Sequence, residues 1–178
     1  MTLAPLLRKF ALTVHVIFSV GLLGAIAGFL ALAVAGLTSH EDQTVRAAYL
    51  AMDLIARFVI LALAFASLLT GLIQSVGTPW GLFRHYWVLV KLLLTVFATI
   101  VLLIKMELIG YAARLSAETT LSRADLRAAG LQLVSHAAGG LLVLLVPAIL
   151  SIYKPPGMTR YGWRKRHEQL APSPPILK

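Results

Sequence analysis

The chain has 178 residues, of which 59% are hydrophobic and only 13% charged, with a net charge of +9 and a mean hydropathy of +0.86. A soluble domain of this size does not carry that balance, so the composition is that of a membrane protein. A chain without cysteine has no disulfides, thiolate metal sites or thiol redox chemistry, and its basic residues gather between apolar runs, where they set membrane orientation instead of reading nucleic acid.

The first apolar run, Phe10 to Leu37, follows Arg8 and Lys9. It contains Ala33-Val34-Ala35, a small-residue pattern found at signal cleavage sites, but it far exceeds the ~7–15 residues of a signal h-region and reads as a retained helix. Residues spaced by 3, 4 and 7 share a helix face, which places His15 with Ser19. Nearly opposite lies a stripe of small residues, Gly21, Gly24, Gly28, Ala31 and Ala35, with Gly24 and Gly28 in a GxxxG pattern. Such a stripe packs either within the chain or against a second copy, in a homodimer through Gly21, Gly24 and Gly28.

The second run, Phe58 to Val76, gathers Ser67, Thr70 and Gln74 on one face, and Asp53 and Arg57 are spaced for an ion pair at its outer edge. The turn GTPWGLFRH, residues 77–85, carries Gly77, Pro79 and Gly81 as breakers. The third run, Tyr86 to Ile104, aligns Arg84, Trp87, Lys91 and Thr95. A longer connection from Glu107 to Gly130 follows, in which Ser122 and Asp125 make a capping-box pattern able to open the fourth helix before the membrane. The fourth run, Leu131 to Tyr153, aligns Gln132, His136, Gly140, Val143, Pro147 and Ser151. Tyr161, Trp163 and Arg164 to Arg166 suit an interfacial anchor, and APSPPILK reads as a disordered end.

Each run is near or above the ~20 residues that a helix needs to cross a bilayer core. The expected fold is therefore all-α: an integral membrane bundle of four transmembrane helices over residues 1–157, with a basic, Pro-rich tail over residues 158–178 and no separate soluble domain. The side holding Arg8, Lys9, Arg84 and the tail has more Lys and Arg than the side holding Arg46, Arg57, Lys105, Arg114, Arg123 and Arg127. The positive-inside rule then puts both termini in the cytoplasm. The polar stripes of the four helices are expected to face one another, where partners replace lipid.

Depth separates the candidates. At ~1.5 Å per residue, His15 lies ~8 Å inside its span from Phe10, Lys91 ~8 Å inside its span from Tyr86, and Pro147 ~9 Å from Tyr153, whereas His136 lies ~25 Å from Tyr153. His15 and Lys91 are placed to share a ligand; His15 and His136, the two metal-ligand candidates, are not placed to share one. Each has a plainer role: Lys91 snorkels to the interface, His15 bonds across helices, and His136 is a satisfied bundle histidine.

The stretches HVIFSVGLLG, YWVLVKLLL and AILSIYKPPG resemble the HemJ and CopD-like superfamily of small bacterial membrane bundles. GTPWGLFRHYWVLVKLLLT and SHAAGGLLVLLVPAILSIYKPPG are similar to the signature stretches of a small four-helix bacterial membrane family of unknown function. The resemblance covers the four spans and implies an inner-membrane protein holding a b-type haem, with a functional first-helix His and third-helix Lys; by position these are His15 and Lys91. HemJ proteins oxidise protoporphyrinogen, but YAARLSAETTLSRADLRAAG lacks the Arg- and Phe-rich segment of that enzyme, which ranks oxidase activity below haem or porphyrin binding. Copper transport of the CopD kind is weaker still: Cu(I) favours thiolate and thioether ligands, and Met1, Met52, Met106 and Met158 do not cluster. The expected site is His15 as axial ligand, Lys91 as second ligand or propionate partner, and Arg84 as a further anion contact. The alternative is a cofactor-free scaffold or subunit of a larger complex.

Overall fold

A computed structural model describes residues 4–77, 82–118, 123–153 and 157–164. Pro79, Gly81, Ser122 of the capping box, Lys165, Arg166 and the APSPPILK end lie outside them. The described residues form helices α1 (Pro5–Thr38), α2 (Asp42–Leu54), α3 (Leu61–Gly77), α4 (Tyr86–Ala117) and α5 (Arg123–Tyr153). A π-helical turn, Ile55–Ile60, joins α2 to α3 into one rod, so the fold is an all-α bundle of four rods, each long and apolar enough to cross a membrane. The protein is a polytopic membrane protein.

The rods stand in a square: α1 packs on α3 and α5, and α4 packs on α3 and α5, leaving α1 and α4 on one diagonal and α3 and α5 on the other. Phe10, Phe58, Phe97, Ile104, Leu142 and Ile152 are exposed on the outside of this square, where lipid is their solvent.

The helices run well past the apolar stretches at one end. There α2, the last turns of α1 and α4 and the first turns of α5 build a tight cap in which Val45, Tyr49, Met52 and Ser116 are fully buried. Outside the lipid, apolar burial is driven by water, which gives α2 its amphipathic pattern and the cap its dense core. Tyr49 donates a 3.1 Å hydrogen bond to the Leu126 carbonyl, and its hydroxyl lies so close to Gly130 that a side chain there would collide with it. Arg46 donates to the Ser116 and Glu118 carbonyls at the end of α4, while Arg123 donates to those of Ser39 and His40 just past α1 and pairs with Asp42. Both cations sit where helix C-termini favour positive charge.

The π turn has a physical cause in the spacing of the buried residues. Met52, Ala56, Ile60 and Ala64 are buried at steps of four, and each such step overshoots a 3.6-residue turn by roughly 40°. The wider turn takes up the drift, so that Tyr49 in the cap and Ser67 in the membrane half both face inward. From within this turn Arg57 reaches back to Asp53 in α2 and binds both its carboxylate oxygens at 2.8 and 2.9 Å, the ion pair expected from their spacing.

The opposite end is bound differently. Met158 forms an antiparallel bridge with His85, Thr159 N–H donates to the Arg84 carbonyl at 3.0 Å, and the Thr159 hydroxyl donates to that of Phe83. Residues 157–164 are thereby strapped onto the loop before α4, which puts the loop and the start of the tail on the same end as Arg8. Tyr161 and Trp163 remain exposed there.

Candidate functional site

Between the diagonal pair α1 and α4, in the half of the bundle nearest Arg8, lies a cavity of about 590 Å³. That is within the ~300–1,000 Å³ of pockets that bury drug-sized ligands. Its walls are mainly leucines from α1, α3 and α4 with Val88 and Leu144, and its polar lining includes Arg8, His15, Gln74, Lys91, Thr95 and Ser151. His15 and Lys91, on helices that do not touch, thus converge on one space.

The antiparallel seam of α1 and α3 positions His15. Ser19 and Ser67 are hydrogen-bonded at 2.9 Å, and one turn away His15 Nδ1 lies 3.0 Å from the Thr70 hydroxyl. Thr70 has the Ala66 carbonyl at 2.7 Å as an acceptor for its own proton, and with the hydroxyl so committed its oxygen can accept from a His15 ring protonated on Nδ1. The lone pair is then on Nε2. This is the arrangement by which a second residue fixes the tautomer of a ligating histidine. Gly71 makes room for the ring: a Cβ at that position would sit 3.1 Å from His15 Cε1.

On α4, Lys91 holds its ammonium 5.6 Å from the centre of the Trp87 ring, one turn back toward the helix start, while still lining the cavity. A cation over an indole face is electrostatically favoured, and the contact keeps the charge near the Arg8 end. Trp87 in turn lies 6.3 Å from the ring of His85. Thr95 donates to the Lys91 carbonyl, so its hydroxyl proton is spent within its own helix. On α5, Pro147 is buried against the cavity; lacking an N–H, it cannot bond the Val143 carbonyl, and Ser151 donates to the Pro147 carbonyl at 2.8 Å.

Arg84 does not line this cavity; its carbonyl is held by the strap residue Thr159. Arg8 lines the cavity instead, from a position one turn into α1 that the apolar run beginning at Phe10 leaves outside the span. Its spacing of seven from His15 was the available signal. His136 is exposed on α5, donates from Nδ1 to the Gln132 carbonyl at 2.6 Å, and lines a different cavity. His15 and His136 are therefore not brought together, and among the described residues no three His, Asp or Glu side chains gather as an ion cage.

The donor set fits a haem to the extent of one imidazole paired through Nδ1 with Thr70, apolar walls, and two cations, Arg8 and Lys91, for anionic edge groups. Chemically, the cavity can coordinate through one nitrogen and neutralise an anion near one face of the membrane. Gly24 and Gly28 of the small-residue stripe are exposed, with nothing within 4 Å of an added Cβ, whereas Gly21 faces Leu63 of the same chain. No family model, curated protein or solved structure matches this chain.

Proposed function

We propose that this is a bacterial inner-membrane protein, with both termini in the cytoplasm, that holds a b-type haem or porphyrin in the His15 cavity. The observation that carries the reading is the held imidazole: His15 Nδ1 is paired with the Thr70 hydroxyl in a cavity that Lys91 and Arg8 also line, and a ring protonated on Nδ1 offers Nε2 as a ligand. His15 would be the axial ligand, and Lys91 and Arg8 would hold the carboxylates. Bound there, a haem supplies one-electron chemistry; the protein's own part is to orient the ring, exclude water with leucine walls and fix the anionic edge near the cytoplasmic face. Oxidation of protoporphyrinogen, as in HemJ, is a narrower version of this reading.

The test is the reduced-minus-oxidised visible spectrum of the protein purified in mild detergent, alone and after haemin addition. A haem spectrum lost in His15→Ala supports the reading, and a colourless protein that takes up no haemin sinks it. Turnover of protoporphyrinogen distinguishes the oxidase version.

One observation favours a cofactor-free scaffold instead: the Lys91 ammonium already has the Trp87 face and lies toward the interface, as a snorkelling lysine does. A homodimer through the first helix is a separate proposal, supported by the open surface at Gly24 and Gly28. Gly24→Cys should cross-link to itself in membranes if it forms; a monomer at all protein densities would refute it.

A further inference from the structure

The second cavity, about 420 Å³, lies in the half of the bundle away from Arg8, between α1, α4 and α5. Its walls are leucine, isoleucine, phenylalanine and alanine, and their few hydroxyls are spent internally: Thr99 donates to the Thr95 carbonyl and Ser135 to the Leu131 carbonyl, both at 2.8 Å. A ring with polar edges would find no hydroxyl donor here; a hydrocarbon chain needs none. On α5, Gly139 and Gly140 leave the wall open, with nothing within 4 Å of a Cβ built on either.

The polar groups of this lining that can meet a headgroup are Lys105 and His136, and no carboxylate is among its residues. Counted at ~1.5 Å per residue, Lys105 lies ~28 Å from Tyr86 and His136 ~25 Å from Tyr153, close to the far boundary of a ~30 Å hydrocarbon core. A cation and an imidazole therefore stand at interfacial depth beside a slot that is apolar toward the bilayer centre. His136 commits its Nδ1 proton to Gln132, so Nε2 is an acceptor for a hydroxyl.

We propose that this cavity is a lipid site for one acyl chain of a phosphatidylglycerol-type phospholipid from the leaflet opposite Arg8. Lys105 pairs with the phosphate, and His136 Nε2 accepts from a headgroup hydroxyl. The site is independent of the haem reading, since Lys105 and His136 line this cavity and not the one that holds His15 and Lys91.

The full-length protein in mild detergent is examined by native mass spectrometry with dioleoylphosphatidylglycerol and dioleoylphosphatidylcholine. We expect one saturable phosphatidylglycerol, bound at least tenfold more tightly than phosphatidylcholine. Gly140→Leu, whose Cβ has no protein atom within 4 Å and whose side chain extends into the slot, should lose it. Lys105→Gln should bind both lipids equally and weakly, and Lys9→Gln, a cation at the opposite end that lines neither cavity, should bind them as the wild type does. Equal affinity of the wild type for the two lipids, full binding by Gly140→Leu, or displacement of the lipid by one equivalent of an isoprenoid quinone would each overturn the proposal.

Discussion

His15 and Thr70 are paired across two helices: His15 Nδ1 lies 3.0 Å from the Thr70 hydroxyl, whose own proton has the Ala66 carbonyl of its helix within 2.7 Å, so that the pair is satisfied with His15 as the donor. The direction matters because it decides which ring nitrogen faces chemistry. Thr70→Val keeps the shape and removes the acceptor. In a haemin titration this variant should bind ~10–100-fold more weakly, the usual effect of losing a partner behind a metal ligand, while His15→Ala loses the coordinated spectrum altogether. Wild-type affinity in Thr70→Val would mean that the pair orients nothing of consequence.

Lys91 discriminates the two functional readings. If it holds a carboxylate, Lys91→Met removes a hydrogen bond to a charged group worth ~1.5–3 kcal/mol and weakens haemin binding by about tenfold or more. Arg8→Gln should act in the same direction, with a weaker effect at high salt because its side chain is exposed. If Lys91 only snorkels, Lys91→Met leaves any haemin titration unchanged.

Gly71→Ala probes the room behind the imidazole. The new methyl would sit 3.1 Å from His15 Cε1, so the ring must shift by a few tenths of an ångström or turn away from Thr70. The expected result is loss of haemin affinity with a helical circular dichroism spectrum and melting temperature close to wild type. A large fall in melting temperature would instead assign Gly71 to helix packing alone.

At the other end of the molecule, Tyr49→Phe deletes the buried hydrogen bond to the Leu126 carbonyl and should cost ~1 kcal/mol, read as a lower melting temperature in detergent. Gly130→Ala should cost more, because its Cβ collides with the Tyr49 hydroxyl. Combining Gly130→Ala with Tyr49→Phe should recover part of that loss, since the colliding atom is then absent. Strict additivity would show that the two residues do not meet in solution.

Much of the bundle was legible from apolar run lengths, because crossing hydrocarbon demands a helix of set length and leaves few alternatives. Depth counting was informative for the same reason: a helix advances by a fixed rise, so His15 and Lys91 could be put in one layer before any tertiary contact was known. Three features were not legible. The helices continue into water as α2 and as the ends of α4 and α5, where polar residues mask the signal that marks a span. The π turn depends on four-residue spacing of small buried residues such as Ala56 and Ala64, which hydropathy does not register. Arg84 shares a helical face with Lys91, yet it stands in the loop before α4, and the strap of residues 157–164 governs that loop. Such pairing of distant segments has no signature in either segment alone.

Leu22, Thr95 and Leu144 line both cavities, so the polar chamber near Arg8 and the apolar slot beyond it are divided by a single layer of side chains. What separates the two cavities is thus chiefly one level of the bundle, held by the buried Leu144 and Leu22. Shortening either leucine is expected to join the two cavities into one continuous space.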